Sequence, residues 1–254
     1  MNEEVRNNLL SMLTPERVKR IDNVLDNRTG SLTILLDRLF HPHNIAAILR
    51  TAEAFGLSKV YMIDEVGGVS SQGDPQRSQG ISLGSERWIE VEKFSSANSA
   101  IDNLREKGFQ FVCLQPPPIA SLKNELVKGS GDIDSEKSSS DCCVSYMQVS
   151  ELPFEKKLCL VFGSELGGLS PVLKDAASIF AHIPMYGFVE SFNVSVACGI
   201  TLFCSCLPKT KVNRQVQPLG LEEKLQLRDS WIINSVPRGE SVRSYLEQKL
   251  TKEL

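Results

Sequence analysis

Short apolar runs alternate with amphipathic segments along most of the chain. Four of the runs are rich in apolar and branched side chains and predict buried strands: Ser31–Asp37, Lys59–Asp64, Phe109–Leu114 and Leu158–Gly163. A weaker pattern at Arg87–Glu92 predicts an edge strand. The segments between the runs have the spacing of helices. Because strands and helices alternate, we expect an α/β protein with a mostly parallel sheet flanked by helices.

Capping residues predict where several helices begin and end. Thr14 followed by Pro15 is typical of a helix start. Asn44 is expected to cap a helix that ends at Gly56. A long helix is expected to begin near Ser191.

Helical patterns also flank the core of the chain. We expect an N-terminal helical extension (1–30), a core domain (31–207) and a C-terminal helical extension (208–254). Within the core, the Gly-, Ser- and Asp-rich stretch Gly129–Asp141 is typical of a surface loop.

Composition and charge limit the partners and the cellular locations that the sequence predicts. The 254 residues are 41% hydrophobic and 23% charged, which is ordinary for a globular protein. The formal net charge is −3, so a nucleic-acid partner would require a local basic patch. No apolar run approaches the roughly 20 residues that cross a bilayer. The N-terminus lacks the basic start and apolar core of a signal peptide, so we expect a cytoplasmic protein.

The cysteines and histidines point away from metal or disulfide chemistry. The seven cysteines are odd in number and include no CxxC pair, which indicates neither a disulfide framework nor a zinc ribbon. Cys113, Cys159 and Cys198 lie in apolar runs and are expected to be buried. With three histidines in the chain, no metal site is expected.

One arginine stands out on the segment His41–Gly56. At about 100° per residue, the apolar side chains of this segment share one face and Arg50 projects from the other. Its neighbours on that outward face include Ala46, Ala47 and Ala54, where Lys, Glu and Gln are usual. The small side chains predict that another molecule comes close to Arg50.

Two loops that follow predicted strands also carry candidate chemistry. LVFGSELGGLS, at residues 160–170, places glycines around Ser164 and Glu165, which allows a ligand to approach the backbone or forms a plain strand-to-helix turn. IPMYGFVESFNVSVACG, at residues 183–199, carries Glu190, Ser191, Asn193 and Ser195 in an apolar run. A helix cap at Ser191 or Asn193 accounts for one of these polar residues but not for all four, which favours contact with a ligand.

These three segments resemble, in order and separation, the motifs of the SpoU or TrmH-like 2′-O-ribose methyltransferases of the SPOUT superfamily. The resemblance covers roughly Leu32 to Phe203 and is greatest to the members that methylate guanosine 18 of tRNA. It implies an α/β fold with a C-terminal trefoil knot that binds S-adenosylmethionine. It also implies a homodimer with its active site at the subunit interface and an RNA substrate, most simply the D-loop of tRNA.

The resemblance also implies roles for individual residues. Arg50 would be the catalytic residue, either as a base or, since arginine stays protonated, as a cation that stabilises the developing alkoxide. Glu165 is expected to pair with Arg50. The remaining polar positions carried over to catalysis are Asn44, Ser191 and Asn193. The positions carried over to cofactor binding are Leu114, Gly163, Ile183, Gly187 and Phe192, where Phe192 replaces a leucine usual in the family.

The basic residues near the termini are candidates for RNA contact or plain surface charges. They are Arg17, Lys19, Arg20, Arg28, Lys209, Lys211 and Arg214. Two alternatives to a tRNA methyltransferase stay open: a ribosomal RNA methyltransferase of the same superfamily, and a catalytically silent RNA-binding protein. The short segment before the first strand favours tRNA, and the set of Arg50, Glu165, Ser191 and Asn193 favours an active enzyme.

Overall fold

The apolar runs pair into one sheet in a computed structural model of the protein. The structure describes residues 1–64, 87–116, 145–207 and 216–252. The described strands are β1 (Leu32–Asp37), β2 (Lys59–Ile63), β3 (Glu90–Phe94), β4 (Gln110–Leu114), β5 (Ser145–Gln148), β6 (Leu158–Phe162) and β7 (Ile179–His182). Their order across the sheet is β3-β2-β1-β6-β4-β7-β5. All six pairings between these strands are parallel, which confirms the expected sheet.

The most apolar runs lie at the centre of the sheet. Strands β1 and β6 are buried along their whole length and pair in register from Leu32 with Leu158 to Leu36 with Phe162. Continuous burial is what parallel strands covered on both faces require. The edge strand expected at Arg87–Glu92 is confirmed as β3, which begins three residues later and pairs with β2.

Helices cover both faces of this sheet and also pack at its side. They are α1 (Glu3–Ser11), α2 (Pro15–Asp26), α3 (Pro42–Ala54), α4 (Ala97–Glu106), α5 (Pro171–Ala176), α6 (Val194–Cys206), α7 (Leu221–Ser235) and α8 (Gly239–Lys252). On one face α3 and α6 pack through Ile48, Ala52 and Leu202. On the other face α4 and α5 pack through Leu104 and Leu173.

Most helix ends are where the capping residues predict them. Thr14 accepts a hydrogen bond from the Arg17 amide at 3.3 Å, and Gly56 ends α3 with a φ of 81°. The cap expected at Asn44 is wrong, because α3 already begins at Pro42. Proline fits the first helical position because its fixed φ is helical and its missing N–H is not needed there. Asn44 therefore lies within the first turn, which frees its amide for other partners.

The two helical extensions pack against each other. Apolar contacts join α1 to α7 and α8 through Val5, Leu9 and Ile232. An ion pair joins Arg6 of α1 to Asp229 of α7 at 2.6 Å. A second ion pair joins Asp22 of α2 to Arg228 of α7 at 2.7 Å. The domain boundaries drawn from the sequence stay a prediction.

Arg28, expected to contact RNA, is instead buried, with 2% of its surface exposed. Its guanidinium donates to Glu53 Oε1 at 2.6 Å and to the carbonyl oxygen of Leu57 at 2.7 Å. It also lies over the Trp231 ring, 4.9 Å from the centroid. Arg28 thus joins the end of α2 to the end of α3 and to α7, and it presents no charge to a nucleic acid.

Several expectations fall on residues outside the described ranges. They are the loop at Gly129–Asp141 and the basic residues Lys209, Lys211 and Arg214. The knot also stays a prediction. No helix in the described ranges is long and apolar enough to cross a membrane.

Replacing Arg28 with Met tests this buried junction. The change removes the pair with Glu53 and leaves the Leu57 carbonyl without its donor, so we expect a loss of about 2–4 kcal/mol of unfolding free energy. Urea denaturation measures the loss. The matched change Arg20→Met, on the exposed side of α2, should cost less than about 0.5 kcal/mol. Equal effects of the two variants would contradict the role given to Arg28.

Candidate active site

A cavity of about 580 Å³ lies at the carboxyl ends of β4, β6 and β7. Ligands of open α/β sheets usually bind at this edge. Seven residues carried over by resemblance contribute to its wall: Leu114, Gly163, Glu165, Ile183, Ser191, Phe192 and Asn193. The two loops and the end of β4, far apart in sequence, therefore meet at one cavity.

The glycines after β6 form a tight turn that gives the cavity one wall. Ser164 and Gly168 exchange backbone hydrogen bonds of 3.0 and 2.9 Å, and Gly168 has a φ of 61°. A Cβ on Gly163 would lie 2.3 Å from the carbonyl carbon of Gly168. The turn is also tied to β1, because Asp37 accepts a 2.6 Å hydrogen bond from the Ser170 amide. A side chain at Gly163 is incompatible with this turn.

Four polar residues form a continuous hydrogen-bonded chain beside the cavity. Asn44 donates from Nδ2 to Glu165 Oε1 at 2.7 Å and accepts from Asn193 Nδ2 at 3.1 Å. Asn193 in turn accepts from the Ser195 amide at 2.9 Å and from its hydroxyl at 2.6 Å. We call Glu165, Asn44, Asn193 and Ser195 the polar chain. It joins the first turns of α3 and α6 to the turn after β6.

Asn193 has both functions that the sequence offered as alternatives. It caps α6, as its bond from the Ser195 amide requires, and it also reaches Asn44 and the cavity wall. The polar residues of this loop that are not used as a cap include Ser191, which is exposed and lines the cavity.

The expected pair between Glu165 and Arg50 is wrong within one chain. The carboxylate of Glu165 accepts from Asn44 instead. Arg50 lies six residues further along α3, on its exposed side, and forms no ion pair with a carboxylate of the described residues. Six residues advance a helix by about 9 Å and by about 240° around its axis, which explains the separation. Arg50 is therefore free to interact with another molecule.

The sequence-based prediction of the cavity residues differs from the structure at several positions. Gly187, expected at the cofactor, is exposed and lies outside the cavity wall. The wall instead includes Met185, His182 and Lys174, to which the sequence gave no role. His182 lies at the end of β7, at the same edge of the sheet as the cavity.

Large apolar side chains are fully exposed on the loops that form the cavity. Leu166 is 94% exposed, Tyr186 is 97% exposed and Phe188 is 108% exposed. On the outward side of α6, Val196 and Phe203 are also exposed. Exposed apolar side chains of this size are candidates for contact with another molecule.

The cysteines in the core are unreactive by their surroundings. Cys113, Cys159 and Cys198 are buried, as the sequence predicts. Burial raises the pKa of Cys113 and of Cys198 to about 12, so both thiols stay protonated at neutral pH. Within the described ranges, no group of three or more His, Cys, Asp and Glu side chains is placed to hold a metal ion.

A family model described as the SpoU rRNA methylase family matches residues 31–203. The chain belongs to this family. The match contains α3, the turn after β6 and the polar chain, so the SpoU resemblance of the three segments is confirmed. Family membership also confirms the expected class of enzyme, an RNA methyltransferase, and the family depends on S-adenosylmethionine.

Relatives within this SpoU family resemble most of the chain. A tRNA (guanosine(18)-2′-O)-methyltransferase of Borreliella burgdorferi is 32% identical over 87% of this chain and 86% of its own length. The enzyme of the same name from Thermus thermophilus is 30% identical over 84% of this chain and 90% of its own. The crystal structure of a TrmH/SpoU tRNA modifying enzyme of Aquifex aeolicus superposes with a TM-score of 0.62 at 26% identity, covering 87% of this chain and 98% of that one.

Gly163 and Gly187, the two glycines that the resemblance implies at the cofactor, offer a matched test of the turn. Gly163→Ala places a methyl group against the backbone of residues 168 and 169, so we expect a loss of about 1–3 kcal/mol of unfolding free energy. Gly187→Ala meets nothing within 4 Å and should change stability by less than about 0.5 kcal/mol. Chemical denaturation of both variants distinguishes them. Wild-type stability of Gly163→Ala would contradict the turn described here.

Proposed function

We propose that this protein transfers a methyl group from S-adenosylmethionine to the ribose 2′-oxygen of guanosine 18 in tRNA. The observation that carries the proposal is the polar chain beside the cavity at the strand ends, in which Asn44 joins Glu165 to Asn193. The names of the relatives that resemble most of the chain support guanosine 18 as the target.

The cavity fits the proposed cofactor. Its volume of about 580 Å³ lies in the range of small-molecule sites. Gly163 contributes backbone to the wall, and Leu114, Ile183 and Phe192 offer apolar surface and backbone groups. When bound, S-adenosylmethionine supplies a methyl group activated on a positively charged sulfur. The residues of the chain need only bind and align it.

The remaining chemical problem is the ribose hydroxyl, which is a very weak acid. Arg50 stays protonated, since the pKa of a guanidinium exceeds about 12. Placed beside the 2′-oxygen, this cation would stabilise the negative charge that develops as the hydroxyl proton passes to water. The O–CH₃ bond would form as the S–CH₃ bond breaks, with the electrons of that bond left on the sulfur. Ser191 and the amide of Asn193 line the same cavity and orient the ribose.

Arg50 reaches a cavity in this proposal through a second copy of the chain. Its own Glu165 is engaged by Asn44, and Arg50 projects from the exposed side of α3 beside Ala47 and Ala54. Small side chains there allow the backbone of a partner to approach. The exposed Phe203 of neighbouring α6 supplies apolar area for the contact. We therefore propose a homodimer in which Arg50 of one subunit faces the cavity of the other.

RNA contacts are proposed for the exposed basic residues of the extensions. Lys19 and Arg20 are exposed on α2 and are available to phosphates. Arg17 is only half-buried, lies 4.8 Å from the Trp88 ring centroid and donates to Ser235 at 3.2 Å, so it offers part of its guanidinium. Lys209, Lys211 and Arg214 stay proposals, as does a cytoplasmic location.

Methyl transfer to defined transcripts tests this function. Unmodified tRNA carrying guanosine 18 is incubated with the protein and methyl-labelled S-adenosylmethionine, beside the same tRNA already bearing 2′-O-methylguanosine 18. We expect label in the first transcript alone, because the second has no free 2′-hydroxyl at that position. Equal label in both would move the target site.

The same assay decides the alternatives. The family description names ribosomal RNA methylases, which makes ribosomal RNA the second candidate substrate. Label in ribosomal RNA but in neither tRNA transcript would replace the proposed substrate and keep the chemistry. No label in either RNA, with no calorimetric binding of S-adenosylmethionine, would support a silent RNA-binding protein instead.

A further inference from the structure

A second cavity, of about 590 Å³, lies at the opposite edge of the sheet from the proposed cofactor site. We call it the amino-edge cleft. One wall is formed where strands begin, at Thr33, Lys59 and Glu90. Helix α7 of the C-terminal extension forms the other wall through Trp231 and Asn234. None of the residues given a role in methyl transfer lies in this cleft.

Three lysines from different segments converge on the cleft. Lys59 is paired with Glu90 at 2.8 Å and with Glu92 at 3.1 Å. Lys107 donates to the Tyr61 hydroxyl at 3.1 Å and lies 3.7 Å from Glu92. Lys107 is therefore only weakly neutralised.

Lys157 is the least neutralised of the three. Its ammonium donates to the carbonyl oxygen of Lys107 at 3.1 Å, and no carboxylate of the described residues pairs with it. Both Lys107 and Lys157 are exposed, so an anion can reach them from solvent.

Aromatic rings line the cleft between these cations. Lys107 lies 5.0 Å from the centroid of Tyr61, and Lys157 lies 5.3 Å from that of Phe109. Trp88 and Trp231 meet edge to face with centroids 6.1 Å apart. Trp88 is only partly buried, so a part of its surface stays accessible. Amide and hydroxyl groups of α7 complete the wall at Gln226, Ser230 and Asn234.

We propose that the amino-edge cleft binds an unpaired nucleotide of the RNA substrate, away from the nucleotide that is methylated. The partly exposed rings of Trp88 and Phe109 stack on a base, the ammonium groups of Lys107 and Lys157 bind its phosphates, and the amides of α7 reach the base edge. A protein of net charge −3 has no general attraction for RNA, so such local sites must supply it. This inference rests on the proposed function for its RNA, and its test does not depend on methyl transfer.

The chain carries its own reporter for this cleft. It contains two tryptophans, Trp88 and Trp231, and both line the cleft. The wall of the cofactor cavity includes neither. A base stacked in the cleft should therefore quench tryptophan emission, whereas S-adenosylmethionine in its own cavity should leave the emission unchanged.

The experiment titrates the full chain with a single-stranded RNA pentanucleotide at several salt concentrations. We expect saturable quenching by the RNA and none by AMP or S-adenosylmethionine at the concentration that saturates it. The double variant Lys107→Gln and Lys157→Gln should bind at least about tenfold more weakly. Its salt dependence should also fall by about 0.7 in slope for each lost phosphate contact. Lys156→Gln, an exposed neighbour outside the cleft, should bind as wild type.

Several outcomes would overturn the proposal. They are quenching by AMP but not by RNA, no quenching by either, or equal losses in Lys156→Gln and in the double variant. Thermal unfolding of each variant checks that it is folded. If tRNA is methylated without quenching, the cleft proposal alone fails. If RNA quenches but no RNA is methylated, the proposed function fails and the cleft stands.

Discussion

The hydrogen bonds of Asn44 hold the candidate site together. Its amide joins Glu165, 121 residues away in sequence, to Asn193, 149 residues away. A parallel sheet makes this possible, because it places the loops after β1, β6 and β7 at one edge. The tight turn at Gly163 and the cap of α6 then fix the two partners of Asn44. Cavity shape and polar chemistry therefore depend on the same few contacts.

This arrangement is also the basis of the proposed dimer. The Glu165 carboxylate, which was expected to pair with Arg50, accepts a hydrogen bond from Asn44 instead. Arg50 lies on the exposed side of α3. The alanines around it and the exposed apolar side chains of the cavity loops are what the proposed contact with a second copy requires. In the proposed dimer, subunit contact and catalysis would both involve a single helix, α3.

The sequence predicted the fold well because the spacing of apolar residues indicates which side chains are buried. The apolar runs became parallel strands, and Thr14, Gly56 and Asn193 act as helix caps or ends. The failures concern single side chains. The sequence allowed α3 to begin either at Pro42 or after a cap at Asn44, and the helix begins at Pro42.

The other errors arose where tertiary packing decides a partner. Arg28 was indistinguishable in sequence from a surface arginine, and only the approach of Glu53 and Trp231 buries it. The pairing of Glu165 likewise depends on the direction in which α3 presents each residue. Local patterns carry no information about such distances, so the amino-edge cleft also had no signal in the sequence.

The most direct test of the account is activity in mixed dimers. Arg50→Ala and Glu165→Ala subunits are co-expressed with different tags, and the heterodimer is purified beside both inactive homodimers. If Arg50 serves the partner's cavity, the heterodimer has one intact site and should recover about half of the wild-type rate per dimer. A heterodimer as inactive as its parents would place Arg50 and Glu165 in the same subunit's site and contradict the account.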